Sequence, residues 1–181
     1  MRGLQMKNST KRIAYSAMLS AVSVLLLYIS SVAPTMRLGL VAMAGVLPAV
    51  IVIRFGVPTA FASYAAVSIL ALILLPDKLT AVLYIVLFGH YPMFKNLIER
   101  LRRMWLEWLL KLALFNVLAA LLFLLNALFL QLPLTGNIPG LNLPVGVIYI
   151  GLAAAGNAAF VVYDIGFSGL IAIIIKRFSK F

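Results

Sequence analysis

The sequence contains no cysteine, one histidine and only four acidic residues, Asp77, Glu99, Glu107 and Asp164. Without cysteine there are no disulfides, thiolate zinc sites or cysteine-held iron–sulfur clusters. So few carboxylates and imidazoles leave little material for hydrolytic or metal-ion chemistry. Nucleotide-binding and hydrolase signatures are missing too: no GxxxxGK[ST], GxSxG or HExxH occurs. The chain is therefore read as neither an ATPase nor an enzyme, with no cofactor or metal of its own. Charge is scarce throughout, at 10% of residues, against about 25% in a soluble domain.

What fills the chain is apolar: 65% of 181 residues are hydrophobic. That excess has no place in one water-soluble core, so the expected class is an all-α membrane protein, with residues 1–181 forming one transmembrane domain. Six apolar runs carry it, at about Ile13–Ser31, Leu38–Ile53, Thr59–Leu75, a fourth from near Leu79, Leu109–Leu130, and a sixth from near Gly146 to Lys176-Arg177. The first is long enough to cross roughly 30 Å of hydrocarbon as a helix. Pro34, the Arg54–Pro58 stretch and Pro76-Asp77-Lys78 punctuate the early runs. Pro92 is expected to bend or break the fourth helix. Residues 131–145 hold three prolines and two glycines without a single charge and read as an outer loop.

The net charge of +11 does not form a basic face on a soluble body, so nucleic acid is not an expected partner. The positive residues stand between the apolar runs. Residues 1–12 read as a basic tail with Arg2, Lys7, Lys11 and Arg12, and Lys95–Arg103 adds four more basic residues. With six spans, thirteen of the fifteen lysines and arginines fall on one side, and Arg37 and Lys78 on the other. Positive charge resists translocation, so the rich side, with both termini, is cytoplasmic. In residues 93–108, Leu97, Ile98, Leu101, Met104, Trp105 and Trp108 recur at helical spacing among charges. That pattern predicts an amphipathic helix at the inner surface, supported by a Glu99–Arg103 pair at i,i+4.

Polar groups inside spans are costly unless paired, so they mark candidate sites. Tyr84, Asn126 and Tyr149 fall in the outer parts of the last three spans, Asn157 near the middle of the sixth, and Arg37 at the outer mouth. Together they are expected to converge on an outward-facing solute pocket, with aromatic faces and amide edges. The plainer alternative for Asn126 and Asn157 is hydrogen bonding between helices, and Asn116 is read that way. Asp164 lies deeper, at the level of Arg54 and Lys111, and reads as half of an ion pair. His90, beside Pro92, reads as structural before it reads as a proton relay. Ala14, Ala17 and Ala21 line one side of the first helix, where small residues let another backbone approach closely.

Six short helices in about 180 residues, both ends inside, the Ala17-xxx-Ala21 motif, and Phe88-Gly89-His90-Tyr91-Pro92 followed by Lys95 and Glu99 together resemble the substrate-binding S component of energy-coupling factor (ECF) transporters. The segment is similar to an uncharacterised Firmicutes-type branch of that family. The resemblance implies an S-component-like bundle in a bacterial cytoplasmic membrane that binds a vitamin or related micronutrient from outside. It implies a transmembrane coupling protein and two ATPase subunits as partners, with ATP hydrolysed by those partners. It places Ala17 and Ala21, with Ala14, against the coupling protein, Arg37, Tyr84, Asn126, Tyr149 and Asn157 around the solute, and the 131–145 loop over it. A non-transporting membrane scaffold resembling MreD, with the alanine stripe but no pocket, is the alternative. A lipid-modifying membrane enzyme would need clustered acids or histidines, which the sequence does not have.

Overall fold

The computed structural model of the chain describes residues 2–101, 103–130 and 145–178. Among the described residues all regular structure is helical, and six helical segments are long and apolar enough to cross a membrane. The protein is an all-α, multi-pass membrane protein. The chain divides into two compact units, residues 1–107 and 108–181.

The first unit contains α1 (Arg2–Val32), α2 (Arg37–Phe55), α3 (Val57–Leu74), α4 (Lys78–Leu83) and α5 (Tyr91–Ile98). α2 is its hub and packs against α1, α3 and α5. Ile51 and Val52 of α2, Ala60 of α3 and Met93 of α5 form a buried apolar cluster, bordered by Leu19, Phe55, Val57 and Tyr64. Residues 1–12 differ from expectation. The first helix does not begin at about Ile13 but runs unbroken from Arg2, carrying the basic residues on its first turns. After Gly3 there is no proline or glycine before the apolar run, and nothing obliges a helix to stop at the membrane surface.

The face that α1 turns inward is lined by serine. Ser16, Ser23 and Ser30 are buried seven residues apart, while Ala14, Ala17 and Ala21 are exposed. The Ser16 hydroxyl has no hydrogen-bond partner among the described residues, whereas those of Ser20, Ser23 and Ser30 are bonded. Ser20 and Ser63 of α3 share a hydrogen bond, and Ser30 donates to the carbonyl of Arg37 at 3.1 Å. Ser23 donates to its own helix at Leu19 and, at a longer 3.4 Å, to the carbonyl of Ala44 in α2. That second acceptor has a cause. Pro48 lies inside α2 and is buried. Proline has no N–H to give the carbonyl four residues back, which here is Ala44. In hydrocarbon an orphan carbonyl must find another donor, and Ser23 supplies it. Ser23→Ala is therefore expected to destabilise the protein by about 1–2 kcal/mol. In the Pro48→Ala background, which restores an N–H, the same change is expected to cost less. A double-mutant cycle of thermal midpoints checks this.

Gly56 alone separates α2 from α3, with φ 84° and ψ 170°, a backbone region that only glycine occupies readily. Asp77 then caps α4, its carboxylate accepting from the Leu79 N–H at 3.1 Å and the Thr80 hydroxyl at 2.8 Å. α4 passes into a wide π turn, Tyr84–Phe88. The helix stops before Pro92 and restarts, so Pro92 sits in the first turn of α5, where its missing N–H is harmless.

Residues 93–108 are not the single surface helix that their periodicity predicts. α5 ends at Ile98, a 3₁₀ turn covers Glu99–Leu101, and α6 starts at Met104. Lys95, expected in solvent, is only 2% exposed and bonds Glu99 at 2.8 Å. Among the described residues an i,i+4 pair does form at Glu99, but with Lys95 one turn before it and not with Arg103 one turn after it. Trp105 projects from the start of α6 and is almost fully exposed, as suits a ring at headgroup level.

The second unit is an antiparallel pair, α6 (Met104–Leu125, from Trp108 onward) and α7 (Val145–Phe178). Three layers join them. Lys111 bonds Asp164 at 3.0 Å, Phe115 stacks on Phe160 with ring centroids 4.7 Å apart, and Asn116 pairs with Asn157. Advancing along α6 while receding along α7 is what an antiparallel crossing requires. α6 ends in a second π turn, Asn126–Leu130. The expected lid at 131–145 lies outside the described residues, apart from Val145, which already belongs to α7.

Candidate functional site

Tyr84 opens the first π turn and is completely buried. In an α-helix the Gly89 N–H would bond the carbonyl of Ile85. Here it reaches back one residue further, to Tyr84, at 2.7 Å. The Ile85 carbonyl is bonded by side chains: the Tyr64 hydroxyl donates to it at 2.9 Å and His90 Nδ1 at 3.0 Å. A carbonyl only accepts, so Nδ1 carries the proton and Nε2 of the neutral ring is an acceptor. That Nε2 and the Tyr84 hydroxyl are buried without a hydrogen-bond partner among the described residues. Around them lie the rings of Tyr64, 6.0 Å from both Tyr84 and His90, and of Phe94, 5.3 Å from His90. Two polar atoms thus stand ready in an aromatic setting, on a turn type that is frequent at functional sites.

Two glycines permit the arrangement. A Cβ on Gly89 would come within 2.7 Å of the Tyr84 ring and 2.8 Å of the Tyr64 ring. On Gly45 of α2 a Cβ would come within 2.8 Å of the backbone of Phe88. Gly89→Ala is expected to lower stability by about 1–3 kcal/mol by overpacking, since two rings must shift. Thermal unfolding in detergent measures it, with Gly39→Ala, which meets nothing, as the control.

The other residues singled out from the sequence fall as follows. Arg37 is half-buried at the start of α2 and bonds Asp77 at 3.0 Å, tying the N-terminal ends of α2 and α4 together. Asn126 is buried and begins the second π turn. Tyr149 lies in the first turns of α7. Asn157 donates to Asn116 Oδ1 at 3.1 Å and to the Ala153 carbonyl at 2.8 Å, and accepts from Asn116 at 2.9 Å. Both of its N–H groups are engaged, so a ligand at Asn157 competes with Asn116. Asp164 takes Lys111 as its partner, one of the two cations expected at its depth. The other, Arg54, lies over the Tyr15 ring at 4.5 Å.

Tyr64 is the residue that sequence reasoning missed. Its signal was a lone phenol in the middle of an apolar run. The serine face of α1 was also legible, as a seven-residue recurrence of Ser16, Ser23 and Ser30. No known protein family, curated protein or solved structure matches the chain.

Proposed function

We propose that this protein is the solute-binding subunit of an ECF-type importer in a bacterial cytoplasmic membrane, taking up a vitamin or related micronutrient. The observation that carries the proposal is that two buried polar atoms, Tyr84 Oη and His90 Nε2, have no hydrogen-bond partner among the described residues and lie in an aromatic setting. In hydrocarbon each unsatisfied group costs several kcal/mol, a cost that a bound solute with its own donors and acceptors repays. Arg37 belongs to the same unit and to the proposed solute-contacting set, and Asn126, Tyr149 and Asn157 are proposed solute contacts on the second unit. The solute binds from the outer side, and the exposed alanines of α1, Ala14, Ala17 and Ala21, dock on a transmembrane coupling protein. Two ATPase subunits on that partner supply the energy, so this chain needs no nucleotide. A scaffold of the MreD kind would use the same alanine face but has no use for unpaired polar atoms in its core.

Thermal unfolding of the purified protein against a panel of water-soluble vitamins tests the solute site. One compound is expected to raise the midpoint by several degrees. In Tyr84→Phe that rise shrinks, while the unliganded protein is as stable as wild type or more so, because an orphan hydroxyl has been removed. A structural role for Tyr84 predicts the reverse, a less stable unliganded protein.

A further inference from the structure

An open groove of about 630 Å³ is lined by Lys11, Ala14, Tyr15, Met18, Arg54 and Phe55, at the end of the first unit that the segregation of positive charge assigns to the cytoplasm. Lys11 and Arg54 stand at the same membrane boundary. Lys11 is one residue inside the beginning of the first span, and Arg54 is one residue before the end of the second. Both are exposed. Arg54 lies over the Tyr15 ring, and Tyr15 in turn meets Phe55 edge to face, with centroids 5.7 Å apart. The guanidinium is therefore held in place before anything binds. Among the described residues that line the groove none is acidic. Ala14 and Met18, also in its lining, are apolar and exposed on α1.

We infer that this groove binds one anionic phospholipid of the cytoplasmic leaflet, with the headgroup phosphate between Lys11 and Arg54 and the upper acyl chain against Ala14 and Met18. Charge complementarity favours it, because that leaflet carries the anionic lipid and each nearby cation adds to the attraction. Tyr15 sits at the depth where an amphipathic ring belongs. A free phosphate ion would use the cations but leave the apolar wall bare, so the lipid is the better fit to the whole groove. Ala14 is shared with the proposed docking face, so a docked coupling helix would compete with the lipid at that residue, while the two cations lie outside that face.

The test uses native mass spectrometry of the full chain, reconstituted with phosphatidylglycerol or phosphatidylcholine of matched chains. Wild type is expected to retain one phosphatidylglycerol in preference to phosphatidylcholine. The Lys11→Gln/Arg54→Gln variant is expected to lose that preference by roughly 30-fold, the product of two surface cations. Arg103→Gln, a basic residue outside the groove, keeps it and shows that local geometry rather than net charge is responsible. Circular dichroism confirms that the variants are folded, and Arg54→Lys, which keeps the charge, retains most of the preference if the double variant is unstable. Equal loss in Arg103→Gln, or no loss in the double variant, overturns the proposal. Displacement of the lipid by millimolar inorganic phosphate makes the groove a simple anion site and overturns it as well. So does a synthetic acidic peptide that binds the groove while phosphatidylglycerol does not.

Discussion

Replacing Ala17 and Ala21 together by tryptophan is expected to abolish solute uptake while leaving solute binding by the purified protein within about twofold of wild type. The reason lies in how α1 divides its faces. Its internal contacts are made by Ser16, Ser20, Ser23, Leu27 and Ser30. The alanines face away from that packing, so larger side chains fit without disturbing the fold, and exposed substitutions of this kind change stability little. A helix docking against the alanine face would be held off by the indoles, because close approach of two backbones needs small residues on both. Ala17→Ser with Ala21→Ser, which keeps the face flat, is expected to transport normally. Uptake measured in cells carrying the coupling subunits, beside binding measured on purified protein, separates the two functions. Uptake that survives both tryptophans removes the docking role from this face.

The second large effect concerns the ion pair in the second unit. Lys111→Met is expected to destabilise the protein by about 3–5 kcal/mol, because it leaves the Asp164 carboxylate buried without its cation. Both side chains are nearly inaccessible, and they are 3.0 Å apart. Lys111 Nζ also lies 5.6 Å from the Trp108 ring centroid, which holds the ammonium on that side. The double variant Lys111→Met/Asp164→Leu is expected to recover most of the loss or exceed wild type, since desolvation offsets much of the attraction within a buried pair. Thermal midpoints in detergent are the readout, with a drop of about 10 °C in the single variant. A double variant as unstable as the single one would mean that the pair does more than neutralise itself.

The class of the protein was legible because hydrocarbon leaves few choices: long apolar runs must be helices, and their number can be read directly. That Asp164 takes a cation was legible for a related reason, since a buried carboxylate must find one at its own depth; depth left Arg54 and Lys111 open, and the structure has Lys111. Asn116 and Asn157 were equally well placed to be helix partners or solute contacts, and depth alone did not distinguish the two. What the sequence hid was backbone detail. Whether the fourth run would bend at Pro92 or widen before it depends on what packs there. The close approach of Gly45 to Phe88 and of Gly89 to two tyrosine rings is a tertiary fact. The π turn at Tyr84 follows from that packing, and with it the role of Tyr64. The 93–108 segment was misread because amphipathic periodicity does not say which polar side chains meet water and which the fold covers, and Lys95 is covered while its partner Glu99 stays exposed.

Solute binding at Tyr84 and His90 is the centre of the proposal, and the contents of the purified protein test it most directly. The protein is purified from its native membrane in mild detergent and denatured, and the released small molecules are identified by mass spectrometry. The expected result is one water-soluble micronutrient, stoichiometric with wild-type chain and strongly depleted from Tyr84→Phe. Release of lipid and detergent alone, from protein whose unfolding midpoint no micronutrient raises, would contradict it.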